Sequence, residues 1–202
     1  MSSAGARTAT VRMNRDQRRQ QLLTVAEQAF SSNGYHTTSM NEVAKQAGVT
    51  KPVLYRHFAS KRDLYLAVLE DCCDRLATAV VKATASAPSP HQQVEWGFRA
   101  YFEFVAGSQA AFTIMFADSS AIDPELHEPV RRLEANLSVA IADLIHADID
   151  DPHRQLLSAG IVAMAEGMGQ HCLAERLTIE PDRLAQQAAD LAWAGLRGVK
   201  RV

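Results

Sequence analysis

Cysteine is scarce in this 202-residue chain: Cys72, Cys73 and Cys172 are all it has. Adjacent residues on a helix point apart, so Cys72 and Cys73 do not bridge. An odd count without framework spacing excludes a disulfide scaffold and fits a reducing cytoplasm. No apolar run approaches the roughly 20 residues that cross a bilayer, and the first residues lack the apolar core of a signal peptide. A cytoplasmic protein with no membrane partner is expected. Chemistry-bearing motifs are missing too: there is no Gly-x-Ser-x-Gly elbow, no P-loop and no His-Glu-x-x-His. Cys172 beside His171 is not a nucleophile–base pair, since helix neighbours diverge. The one cluster of metal-like composition, His146, Asp148, Asp150, Asp151 and His153, falls where Asp151-Pro152 already reads as a helix start, so neither a metal nor a cofactor is expected. The chain is expected not to be an enzyme.

Two-residue alternation of β-branched side chains is equally absent, and no internal repeat is found, so the expected fold is all-α. What is present is an uneven charge. Net charge is only -2. Residues 1–62 nevertheless hold ten Lys/Arg against three Asp/Glu, and the remainder holds eleven against twenty. A cationic head on an anionic body points to an anion-seeking front end, and double-stranded DNA is the expected partner. A purely structural DNA-coating protein is argued against by the large apolar body.

Residues 1–13 read as a flexible basic arm with Arg7 and Arg12. Asn14-x-x-Gln17 is a capping box that opens a helix closed by Asn33-Gly34. Ser39-x-x-Glu42 opens a second, ending near Ala47-Gly48, and Thr50 can cap a short third with Pro52 in its first turn. These three make a helix-turn-helix unit over 14–60, in which Gly48 permits the turn and Val43, Val49, Leu54 and Phe58 bury against Leu22, Ala26 and Phe30. Thr50, Lys51, Pro52, Val53, Tyr55, Arg56 and His57 are left outward or on the rim, where Tyr and His beside cations suit phosphates. Arg15, Arg18 and Arg19 stand ready to follow a groove or the backbone.

Residues 61–202 read as a helical effector-binding and dimerisation domain. A long helix opens at Ser60-x-x-Asp63, and Ser86-Ala-Pro-Ser-Pro90 is the clearest linker. Helices are expected over His91–Ala106, Ala110–Phe116, Asp123 to about His146, Asp151 to about Arg176, and Pro181 to about Gly198. Phe98, Tyr101, Phe102, Phe112, Met115, Phe116, Leu137, Met164 and Met168 are candidates to line a chamber for a hydrophobic small molecule, Met adapting readily to apolar shapes. Gly160, Ala163 and Gly167 share one helix face, and Ala188, Ala192 and Gly195 another. Small residues let backbones approach, so these faces are candidates for a homodimer interface.

The stretch Thr38–Leu64, with Val43-Ala44, Ala47-Gly48-Val49, Leu54-Tyr55-x-His57-Phe58 and Ser60-Lys61-x-x-Leu64, resembles the TetR/AcrR family of transcriptional regulators. The resemblance implies a dimer on a palindromic operator, with Lys51, Pro52 and Val53 at base edges. Thr50, Tyr55, His57 and Lys61 would hold phosphates, with Ser39 near the backbone. Arg56 departs from the aromatic or small residue often found there, leaving its partner, base or phosphate, open. The same resemblance implies a four-helix dimer interface from the last two helices. Lys51-Pro-Val-Leu-Tyr, Leu64-Tyr-Leu-Ala-Val-Leu69, Asp151-Pro-His-Arg154 and Ala192-Trp-Ala-Gly-Leu196 resemble the family's FasR-like branch. That implies control of fatty acid metabolism through a long-chain acyl-CoA or fatty acid. The alternative is a repressor of an efflux or catabolic operon that senses another hydrophobic or aromatic compound. Arg99, Arg131 and Arg132 are the candidate cations for a CoA phosphate, with ordinary surface charge the plainer assignment.

Overall fold

The computed structural model describes residues 13–116, 124–178 and 180–198. Among them the chain forms nine α-helices: α1 Arg15–Thr37, α2 Met40–Gln46, α3 Lys51–Tyr55, α4 Lys61–Thr84, α5 Pro90–Gly107, α6 Gln109–Phe116, α7 Glu128–Ala142, α8 Asp151–Ala174 and α9 Pro181–Arg197. No strand occurs among the described residues. The arm residues Arg7 and Arg12, and the expected cap Asp123, lie outside them.

The helix starts follow from capping chemistry. Asn14 and Gln17 make the full reciprocal box, Oδ1 of Asn14 accepting from the Gln17 amide at 2.7 Å and Oε1 of Gln17 from the Asn14 amide at 3.0 Å. Ser39 and Ser60 supply only half a box each, accepting from the amides of Glu42 and Asp63. The Glu42 carboxylate turns instead to Asn33, which ties the end of α1 to α2. Gly34 breaks α1 with a positive φ of 77°, a conformation cheap only for glycine, and one further turn follows it. Two expected starts move. The first turn after Pro124 is a 3-10 turn, Pro124–His127, and α7 begins only at Glu128 and ends at Ala142 rather than near His146. The cap of α8 is Asp150, whose carboxylate accepts from the His153 amide, so Asp151 and Pro152 are already inside the helix.

The two ends of the molecule share one apolar core. In the head, Leu22, Val43 and Leu54 are fully buried, and Phe58 is nearly so. Tyr65 on α4 meets Phe30 edge-on at 5.0 Å and Tyr35 at 4.8 Å. The packing therefore runs through the boundary expected at residue 60. A polar layer backs it: Arg75 on α4 pairs with Glu27 on α1 at 2.5 Å and with Asp71 at 3.0 Å, and Gln20 donates to Asp71. In the body, α4, α5, α7 and α8 run alongside one another, and α9 lies along α5.

Candidate nucleic-acid interface and effector cavity

The turn between α2 and α3 is set by Gly48 at φ 66°, with the Val49 amide donating back to the Ala44 carbonyl at 2.9 Å. Thr50 stands at the N-cap of α3, and its carbonyl accepts from the Val53 and Leu54 amides. Its hydroxyl makes no cap bond, contrary to the expectation, and stays exposed for an outside acceptor. Leu54 anchors the underside of α3. Lys51, Pro52, Tyr55 and Arg56 are exposed, and Val53 is half-buried. The Lys51 ammonium lies 5.7 Å from the centre of the Tyr55 ring, a contact that keeps both on one surface. Ser39 is exposed at the start of α2, its oxygen accepting from Glu42 while its proton is free to point outward.

Between this turn and the start of α1 runs an open groove of about 1000 Å³, lined by Arg15, Arg18, Thr50, Val53, Arg56 and His57 among others. Arg56 thus belongs with the arginines of α1. Burial, and then the charges of Arg15, Arg19, Arg56 and Arg18, hold the His57 pKa below its ordinary value. The four arginine contributions, second to burial, mark the groove as cationic. Lys61 departs from expectation. Its ammonium donates to the carbonyls of Tyr35, His36 and Thr38 at 2.9, 3.1 and 3.1 Å and sits 4.7 Å above the Tyr35 ring. All three protons are used to cap the end of α1, so Lys61 holds the head to α4 rather than holding a phosphate.

In the body an apolar cavity of about 100 Å³ lies between α4, α5, α7 and α8. Its lining comes from Val80 and Thr84, from Gln93, Val94, Gly97, Phe98 and Tyr101, from Leu137, Ala140, Ile141 and Leu144, and from Ile161, Val162 and Ala165. Of the expected lining, Phe98, Tyr101 and Leu137 are there. Phe102, Phe112 and Met115 are instead plain core, at most 1 % exposed. Phe112 presses so closely on Gly169 that a Cβ there would lie 2.9 Å from its ring. Phe116, Met164 and Met168 pack on that core outside the cavity. The signal overlooked in the sequence is smallness: Gly97, Ala140 and Ala165 leave the space that the bulky residues fill elsewhere.

The small-residue faces divide. On α8, Gly160, Ala163 and Gly167 are exposed in one stripe with Leu156, which is 71 % exposed. On α9, Gly195 is exposed, but Ala188 and Ala192 are buried at 0 % and 8 % with Ala185 and Ala189, on the helix that lies along α5. Ala188 and Ala192 therefore close the protomer itself, and Leu191, 61 % exposed, marks the outward face of α9. The candidate phosphate cations are also engaged, Arg99 with Asp182 and Glu103, and Arg131 with Glu128. Arg132 comes within 4.0 Å of Glu128. Arg154 donates its guanidinium to carbonyls of the 145–149 loop, those of Ile145, Ala147 and Ile149, and so fixes the path of the acidic loop. Among the described residues no group of three or more His, Cys, Asp or Glu is placed to hold a metal, and no helix is long and apolar enough to cross a membrane.

A short exposed helix on a glycine turn, flanked by cations and seated on a helical body, defines the class: a helix-turn-helix regulator that binds DNA. Comparison with known proteins makes it particular. The profile of the bacterial regulatory proteins, tetR family, matches residues 22–68. The HTH-type transcriptional activator FasR of Mycolicibacterium smegmatis is 33% identical over 97% of this chain and 90% of its own length. The chain belongs to the TetR family of transcriptional regulators. The crystal structure of a TetR-like transcriptional regulator from Rhodococcus sp. RHA1 shares its fold with a TM-score of 0.79 at 25% identity, covering 93% of this chain and 100% of the other. The fold also matches FadR from Bacillus subtilis in complex with stearoyl-CoA, with a TM-score of 0.76 at 14% identity over 90% and 99% of the two chains.

Proposed function

We propose that the chain acts as a homodimer on a palindromic operator and that an apolar effector in the body cavity, long-chain acyl-CoA first among candidates, sets its affinity for DNA. The observation that carries this reading is where the cavity sits. Val80 and Thr84 bring the far end of α4 to its wall, while the near end of the same helix clamps the head through Lys61 and Tyr65, and Arg75 ties its middle to α1. A shift of α4 forced at one end is passed to the head at the other. At about 100 Å³ the cavity is well below the 300–1,000 Å³ typical of ligand sites. A long acyl chain therefore fits only if α7 and α8 move off α4 and α5. That requirement gives the ligand different affinities for two arrangements, which is what a switch needs.

The acyl assignment leans on two relatives: one named FasR, and a structure of the same fold that holds stearoyl-CoA. The dimer leans on the exposed Leu156–Gly160–Ala163–Gly167 stripe and on Leu191, apolar area with no cover in the single chain. A second reading is favoured by the cavity's size, since a dry cavity of about 150 Å³ takes a single benzene-sized ring. It makes the effector a compact aromatic compound controlling an efflux or catabolic operon. The deciding experiment is a DNA mobility-shift titration with acyl-CoA thioesters of increasing chain length and with simple aromatics. The first reading expects operator affinity to change with the long thioesters alone. Unchanged affinity at saturating thioester would contradict it.

A further inference from the structure

The lining of the body cavity is buried at Phe98, Tyr101 and Ala165 but only half-buried at Thr84, Gln93 and Leu144, which form its edge near the Ser86–Pro90 linker. A second hollow adjoins that edge. It is a groove of about 570 Å³ between the first turn of α5, the loop after α7 and the last turns of α9. Leu144 lines both spaces. Gln93, on the cavity side, stands one turn from Ser89 on the groove side, its amide donating to the Ser89 carbonyl at 2.9 Å. A molecule whose tail occupies the cavity therefore leaves its other end at the groove. Unlike the cavity, the groove already has the volume of an ordinary ligand site.

The side chains of the groove say what kind of end. The chain after residue 62 holds eleven Lys/Arg against twenty Asp/Glu, yet among the described residues no carboxylate lines this hollow. Its ionisable groups are all basic: His91, His146 and Arg197. His91 has Glu95 behind it, 3.9 Å from its Nδ1, and the loop aspartates Asp143, Asp148 and Asp150 lie outside the lining. Arg197 and His146 are exposed and in no ion pair among the described residues, whereas Arg99 and Arg131 are held by carboxylates. Trp193 is half-buried in the same wall, set edge-on to the His91 ring at 5.0 Å. The opposite wall is held in place by Arg154, which donates to the carbonyls of Ile145 and Ala147. Trp193 and Arg197 are one turn apart on α9 and turned away from the outward Leu191, so the groove is separate from the face assigned to the dimer.

An aromatic face beside a guanidinium and two imidazoles is the chemistry that receives a heterocyclic base carrying phosphate. The base stacks on the indole, and the N–H groups donate to phosphate oxygens, an imidazole supplying one in either protonation state. We infer that this groove holds the phosphorylated nucleotide head of the effector, with Trp193 against the base and Arg197, His146 and His91 on the phosphates. The chain thereby distinguishes a nucleotide-linked acyl thioester from the free acid, which has no ring to stack and a single charge. The inference rests on the reading that an apolar tail enters the body cavity, and it gives the polar end of the same molecule its place.

The test is calorimetric titration of the full-length protein with palmitoyl-CoA, with S-palmitoyl-pantetheine, which lacks the nucleotide, and with palmitate, repeated on Arg197→Gln and Trp193→Leu. Wild type should bind palmitoyl-CoA at least about tenfold more tightly than either of the others, the scale of one charge-assisted contact. Arg197→Gln, a change at an exposed position, should lose about tenfold for palmitoyl-CoA while keeping its melting temperature and its affinity for S-palmitoyl-pantetheine. Trp193→Leu should weaken palmitoyl-CoA with the same selectivity. Wild type binding S-palmitoyl-pantetheine or palmitate as tightly as palmitoyl-CoA overturns this inference and leaves the apolar-effector reading standing. So does an Arg197→Gln protein that binds palmitoyl-CoA as wild type does, or one that loses both thioesters alike. Failure of wild type to bind any of the three overturns the acyl-effector reading and this inference with it.

Discussion

At the scale of single residues, the head separates side chains left free at its surface from side chains that hold the protein together. Arg56 and Tyr55 are outward and unencumbered by carboxylates, whereas Lys61 is fully committed to three carbonyls. Arg56→Ala should lower affinity for every duplex and reduce the slope of log affinity against log salt by about one, the loss of a single phosphate contact. Lys61→Ala should instead cost about 1–3 kcal/mol of stability in a denaturant titration, the worth of charge-assisted hydrogen bonds left unmade. A Lys61→Ala protein of full stability with a reduced salt slope would return that residue to the phosphate list. His57 adds a pH dependence. Its pKa is held low in the free protein by burial and by the four arginines around it, and a DNA phosphate at the groove would raise it. Binding then takes up a proton, so affinity should rise as pH falls from about 8 to about 6. His57→Gln should flatten that rise, and an unaltered pH profile would place His57 off the DNA. The cysteines are quiet by contrast. Burial pushes Cys72 and Cys73 up to about 12, so native protein should react slowly with disulfide reagents at neutral pH and quickly once unfolded.

At the scale of elements, the sequence is read best where a local rule decides. The capping residues Asn14, Ser39 and Ser60, the glycine at 48 and the spacing of Leu22, Ala26 and Phe30 each act within a turn or two, and the three-helix head could be laid out from them. Asp150 took the cap of α8 from Asp151 because two adjacent aspartates satisfy the same rule, and only the path of the loop chooses between them. The cavity was harder to see. Aromatic residues announce themselves, but Phe102 and Phe112 are used to fill space, and the cavity is written in the glycine and alanines that fail to fill it. Ala188 and Ala192 misled for a related reason: a small-residue face marks close helix approach without saying whether the neighbour is the same chain or another. That α9 leans on α5 is a tertiary fact. The outward face of α8 remains, and it carries its own prediction. Ala163→Arg, on an exposed stripe, should leave helicity and melting unchanged while halving the mass in sedimentation, and operator affinity should fall with it. A variant that keeps the wild-type mass would move the interface elsewhere.

At the scale of the whole molecule, one helix joins the head to the body cavity. α4 begins by capping the end of α1 and ends in the wall of the cavity, and the Glu27–Arg75–Asp71 layer fastens it to α1 midway. The head is too small to bury the area that selective binding needs, so the proposed function assigns selectivity to a pair of heads at a fixed spacing, and regulation to whatever changes that spacing. Selection of bound duplexes from a random pool, with footprinting of the winners, tests this directly. The account predicts an enriched palindrome whose half-sites are about one helical turn, or a multiple of it, apart, protected by two copies of the chain, with base preference relaxed in Lys51→Ala. A pool that emerges without a shared motif, or a site held by a single copy, would contradict it.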